Sequence, residues 1–257
     1  VLVGLGLAVL IAGCGGDDKM QSAGALTSPV SGETRSAGKH ESLVPLIVSP
    51  VEQAVPFRGS GGTYLVSYEL RVFNATPLTL LPARVSVSTP SGEVIEKLDR
   101  AQVTDALALP GARSGVRQLR VGQQATLYLT LSFDDRSKIP DRLVHRIVVR
   151  SDRFPRGRAV SSPAVVKVRN AFDVPVLGPP LAAGRGYVAA DSCCSSVRHR
   201  RASLAIDNRE WLAQRFAVDW EQIDASRRFV KRGGDPKNPA DYSIYGARVI
   251  AAADATI

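Results

Sequence analysis

Side chains able to do chemistry are scarce in this 257-residue chain: three histidines, His40, His145 and His199, and three cysteines, Cys14, Cys193 and Cys194. An imidazole can carry a proton or hold a metal, and a thiolate can act as a nucleophile or a ligand. His40 lies in a polar stretch rich in Gly, Ser and Thr and is read as solvated. His145 falls within the strand-like Leu143 to Arg150, where a packed or surface imidazole is expected rather than a catalytic one. His199 stands among Arg198, Arg200 and Arg201. Leu204-Ala205-Ile206 and Trp211-Leu212-Ala213 flank the turn pair Asp207-Asn208, which predicts a hairpin. A two-residue turn there sets His199 opposite Phe216, one step from Arg215. Cys193 and Cys194 are adjacent, so they can bridge only through a tight ring; two thiols in a loop and a vicinal disulfide that stiffens it both remain open. A zinc site built from Cys193, Cys194 and His199 has a spacing that fits none of the common structural patterns.

Three segments near the end of the chain carry a family resemblance: Arg215-Phe216-Ala217-Val218-Asp219-Trp220, then Tyr245-Gly246, then Val249-Ile250-Ala251-Ala252-Ala253-Asp254. In this order and at about this spacing they resemble the opening half of the catalytic domain of lysostaphin-type (LytM-like) zinc endopeptidases, which cut peptide cross-links in bacterial cell walls. That family holds its zinc by a His and an Asp from an early H-x-x-x-D motif and by a His from a late H-x-H. The resemblance maps the Asp onto Asp219 and the strand signature Gly-x-x-Val-x-Ala-Ala-Asp-Gly onto Gly246 through Asp254, with Ala255 in place of the last glycine. Arg215 stands where the family has its first His, and a guanidinium has no lone pair to give a metal. His199 is the candidate to replace it. The late H-x-H, with the remaining ligand and a catalytic imidazole, is expected beyond Ile257, so this fragment is expected to be inactive by itself.

At the other end, Val1 through Ala12 is an apolar run, long enough for a signal-peptide core and too short to span a bilayer. It closes on Leu10-Ile11-Ala12-Gly13-Cys14, which resembles a bacterial lipobox and implies lipidation of Cys14 and attachment to a membrane surface. Residues 1–14 are therefore read as a lipoprotein signal. Residues 15–42 are too poor in large apolar side chains to offset their ordering entropy and read as a flexible tether.

These elements must be held by a scaffold, and from 43 to 173 the hydrophobic period is two. Tyr64, Val66, Tyr68, Leu70 and Val72 share one strand face, with Ser67, Glu69 and Arg71 on the other; Ala125 to Phe133 alternates likewise, as do Val85 and Val87. Shorter strands are predicted at Leu46 to Val48, Leu143 to Arg150 and Val165 to Arg169, and a short helix near Arg100 to Leu107. The pattern predicts an all-β immunoglobulin-like sandwich over 43–173. Nothing within it presents a nucleophile and a base at recognisable spacing. Pro175, Gly178, Pro179 and Pro180 then break both helix and sheet, and the lysostaphin-like portion is assigned to 181–257.

The formal charge of +9 and pI of about 9.8 favour polyanionic partners. For an exported protein these are wall polymers and acidic headgroups. Nucleic acid is excluded, because the leader argues for export and no nucleic-acid motif is present. The combined reading is a lipid-anchored, zinc-dependent peptidoglycan endopeptidase at the cell envelope; the alternative is a degenerate, non-catalytic relative that binds wall or a partner hydrolase.

Overall fold

The computed structural model describes residues 44–59, 61–155, 159–171, 174–194 and 198–254. The expected lipobox at Cys14, the expected leader 1–14 and tether 15–42, and His40 lie outside the described residues. Those described belong to one compact unit, Ser42–Ile257, and the fold is all-β, built from antiparallel sheets. Among the described residues, no helix is long and apolar enough to cross a membrane.

Two sheets form the sandwich. The first contains β1 (Leu46–Pro50), β2 (Val55–Arg58), β3 (Tyr64–Asn74), β6 (Leu107–Ala108) and β7 (Gln124–Phe133), in the order β1-β3-β7-β6 with β2 also on β3. The second runs β5-β4-β8-β9, from β4 (Leu81–Ser88), β5 (Val94–Leu98), β8 (Arg142–Arg150) and β9 (Val160–Lys167). Alternation along each strand decides what meets between them. In β3 and β7 the paired residues Val66 with Leu131, Tyr68 with Leu129, Leu70 with Leu127 and Val72 with Ala125 all face inward and are buried. Val85 and Val87 of β4 and Leu143, Ile147 and Val149 of β8 close the core from the other side. Each such side chain contributes roughly 1.5–3 kcal/mol by leaving water. The predicted helix is α1 (Arg100–Ala106), started by a capping box in which Asp99 and Gln102 each take the other's backbone N–H.

Three features depart from the sequence reading. β9 begins at Val160, five residues before the predicted start, and β2, β5 and β6 carry too short a pattern to be found. The outer face of β3 is not solvated at its centre: Ser67 and Glu69 are buried, because the segment beyond 181 lies over it. The expected strand over Gly246 to Asp254 is reduced to one bridge, Leu181 with Val249, flanked by backbone hydrogen bonds joining 178–182 to 248–252.

His145 settles into the core. Its Nδ1 lies 3.3 Å from the carbonyl of Ala164, which can only accept, so the ring proton sits on Nδ1 and Nε2 accepts from the Tyr68 hydroxyl at 2.6 Å. Burial pushes the imidazole pKa down to about 4, against the opposing effect of the backbone hydrogen bonds. In the unfolded chain it lies near 6.5. Between these values the unfolded chain binds a proton that the folded chain refuses, so this contribution is fully present above about pH 6.5 and is lost as pH falls toward 4. Chemical denaturation is expected to show about 2 kcal/mol less stability at pH 5 than at pH 7 from this residue, a difference that His145→Gln flattens; an unchanged pH profile in that variant would contradict the buried neutral imidazole.

Candidate functional site

The segment beyond 181 is held to the sandwich by a buried carboxylate. Glu69, fully buried at the middle of β3, receives Arg200 Nε at 2.9 Å and Arg215 Nε at 3.2 Å on Oε1, and Arg215 Nη2 on Oε2. Arg200 then spends its other donors on the carbonyls of Tyr68 (2.8 Å), Leu129 (2.6 Å) and Cys194 (3.4 Å) and on Thr130 Oγ1 (2.7 Å). All five of its N–H groups are thereby used, as a desolvated guanidinium requires. Burial lowers the Arg200 pKa and the Glu69 charge opposes that shift. Arg215 gives its remaining arm to Glu52 at 3.0 Å. Beside this hub Arg71 of β3 pairs with Glu210 at 3.2 Å, and Tyr128, buried next to Arg200 and Arg201, has its phenol pKa pushed up to about 12 by burial and by the Glu69 charge.

Four strands carry the rest. β11 (Ser203–Ile206) and β12 (Arg209–Leu212) form the predicted hairpin, with Ile206 opposite Arg209 across Asp207 and Asn208 at φ 49° and 59°. Asp and Asn tolerate that left-handed turn better than other side chains. β10 (Tyr187–Asp191) pairs with β13 (Asp219–Gln222), entered through Gly186 at φ 76°, where a Cβ would collide with the Ile223 carbonyl. Tyr187 to Ala189 face Gln222 to Trp220 in regular register, and a bulge at Ala190 then brings Asp191 opposite Asp219. Bulges of this kind re-aim side chains.

Two carboxylates directly across a ladder repel, and cations converge on them. His199, in the single turn of 3-10 helix Arg198–Arg201, points Nε2 at Asp219 Oδ1 across 3.2 Å, with its side chain 12% exposed. Arg198 lies with Nε 2.8 Å from Asp191 Oδ2 and Nη2 3.7 Å from Asp219 Oδ2. Asp191 Oδ2 is buried and has no aligned hydrogen bond despite that ion pair. His199 Nδ1 faces the carbonyl of Ala217 at 3.3 Å and so carries the ring proton. Nε2 can then meet Asp219 in two ways: as N–H of an imidazolium, or as a lone pair with a cation between them.

A metal fits the second arrangement. The ligand atoms of Asp191, His199 and Asp219 all lie within 4.8 Å of one another. Two ligands bound at 2.0–2.2 Å to a tetrahedral zinc stand about 3.3 Å apart, close to the spacing of His199 Nε2 and Asp219 Oδ1. The set of one imidazole and two carboxylates suits a borderline cation.

The two residues singled out as ligands, Asp219 and His199, therefore come together. The hairpin register alone leaves His199 beside Phe216; the strands part beyond Ser203 and Leu212, and the 3-10 turn carries the imidazole on to Asp219. Arg215, which the resemblance aligns with a histidine, is turned away into Glu69. Cys193 and Cys194 are bonded to each other, so neither offers a thiolate to join His199 on a metal. Asp191 escaped the sequence reading. Its only signal was the short run Tyr187-Val188-Ala189-Ala190, whose pairing with 219–222 gives the acid its place.

No protein-family profile matches the chain, and no curated protein does. Among solved structures, a structural-genomics target is 10% identical with a TM-score of 0.31, covering 52% of this chain and 95% of that one. A FixG-related protein from Vibrio parahaemolyticus is 11% identical with a TM-score of 0.26, covering 49% and 99%. Likenesses this distant carry no argument about function.

Removing one partner of a buried charge pair typically costs about 3–5 kcal/mol. Arg215→His, which installs the histidine of the resembled motif, is expected to destabilise the chain by about that amount in thermal or chemical denaturation without raising its zinc affinity. A neutral effect, or tighter zinc, would show that Arg215 faces the metal region instead of Glu69.

Proposed function

We propose that this chain is part of an exported, lipid-anchored zinc endopeptidase of the lysostaphin type acting on peptidoglycan, with His199 and Asp219 as two of the metal's ligands. The observation that carries it is the separation of His199 Nε2 from Asp219 Oδ1, 3.2 Å, with Nδ1 fixed by the Ala217 carbonyl so that the free lone pair faces the carboxylate. Zinc, when bound, lowers the pKa of its water to about 7 and polarises a carbonyl as a Lewis acid. The chain's own residues supply orientation. The Ala217 carbonyl fixes the imidazole tautomer, as backbone partners of metal-bound histidines commonly do, and the bulge at Ala190 keeps Asp191 within reach as a further oxygen donor or hydrogen-bond partner. Anchoring at Cys14 and the basic surface would hold the protein against an anionic envelope.

Arg198 favours the second reading, a non-catalytic wall binder, because its guanidinium already neutralises the two carboxylates. A zinc titration of the purified chain separates the two. On the metallopeptidase reading zinc binds with a stoichiometry of one, His199→Ala and Asp219→Ala each lower the affinity by at least about tenfold, and Arg198→Gln raises it by removing a competing cation. No binding in wild type and in Arg198→Gln alike would leave the binder.

A further inference from the structure

Next to the candidate metal ligands lies a cleft of about 310 Å³ lined by Arg113, Arg198, His199, Arg201, Ser203 and Gln214, with no acidic side chain among its walls. Arg198 is occupied by Asp191 and Asp219, but Arg201 is in a different state. The residue is 5% exposed, and among the described residues no carboxylate lies within ion-pair distance of it. Its two Nη atoms donate to the carbonyls of Arg113 and Asp105, whereas Nε is buried with no partner at all. Burying a guanidinium is costly unless it is paired, and Arg200, its neighbour, is paired with Glu69 and fully bonded. Asp105 acts on the Arg201 charge only through space, without a direct ion pair, so the unbonded Nε points to a ligand that supplies a closer negative charge and the missing hydrogen bond.

We infer that this cleft is an oxyanion-binding site, taking a single carboxylate or phosphate group between Arg201 and Arg113. Arginine is suited to such groups because its donors match the oxygen spacing of both. The volume is at the small end of ligand pockets and fits one anionic group with its immediate substituents. His199 is shared between the cleft and the metal-ligand cluster, so an anion held here sits beside that cluster. The inference stands on Arg201 and the cleft and is independent of zinc.

Calorimetric titration of the purified chain with inorganic phosphate and, separately, with acetate, both in the presence of a chelator, tests it without involving the metal reading. Saturable binding of one anion per chain is expected, and the tighter of the two probes identifies the source as phosphate or carboxylate. Arg113 is exposed, and among the described residues its side chain makes no hydrogen bond or ion pair, so Arg113→Gln is expected to fold and to weaken binding about tenfold, the loss of one charge-assisted hydrogen bond. Arg201→Met should abolish binding, with circular dichroism to confirm that it folds. Binding of neither probe, or equal binding by wild type and Arg113→Gln, would overturn the site.

Discussion

A carboxylate with no access to water, Glu69, decides how the two parts of this structure meet. Isolated in the middle of a sheet face, such a charge would cost several kcal/mol, and it is tolerable only because Arg200 and Arg215 reach it from the segment beyond 181. The converse also holds. Arg200 is itself buried and has four of its five donors satisfied on that sheet, by Glu69, Thr130 and the carbonyls of Tyr68 and Leu129, the fifth going to the Cys194 carbonyl. Neither surface is stable uncovered, so the packing is specified by charge complementarity more than by apolar area. The apolar part of the contact is small: Leu212 against Tyr128, Ala108 and Val51, and Phe216 edge-on to Phe57 at 5.4 Å.

The hub has a consequence one residue away. Arg200 and Arg201 are pinned into the sandwich side by side, which fixes the 3-10 turn that precedes the hairpin, and His199 is the residue that this turn directs at Asp219. Arg215 plays the same part on the other strand, three residues before Val218 and four before Asp219. The residues standing between the sandwich and the candidate ligands are thus arginines bound to one glutamate, and the imidazole and carboxylate meet because their neighbours are immobilised. Arg198, at φ 53° and on the exposed side of the same turn, is in a backbone region uncommon for a long side chain. It spans the two acids that the bulge in β10 brings together.

The scaffold was readable because alternation reports burial directly: β3, β7 and β8 have one apolar face each and were placed within a residue or two. The Asp207-Asn208 turn follows from local chemistry. What alternation could not report is a polar face that is buried. Ser67, Glu69 and Arg71 read as solvated because nothing in a single strand shows that arginines far along the chain will cover them. His199 was legible as a candidate only through the hairpin, and its final approach to Asp219 depends on where the strands stop pairing. Asp191 depends on a bulge, which inserts one residue without a marker in the sequence.

The account rests on one imidazole and one carboxylate being presented to the same ion by a turn locked onto Glu69. Zinc-edge anomalous diffraction from crystals grown with zinc measures this most directly. The account predicts a single peak about 2.0–2.2 Å from both His199 Nε2 and Asp219 Oδ1, with Arg215 still seated on Glu69. A peak elsewhere, no peak, or Arg215 released from Glu69 and swung toward Asp219 would contradict it.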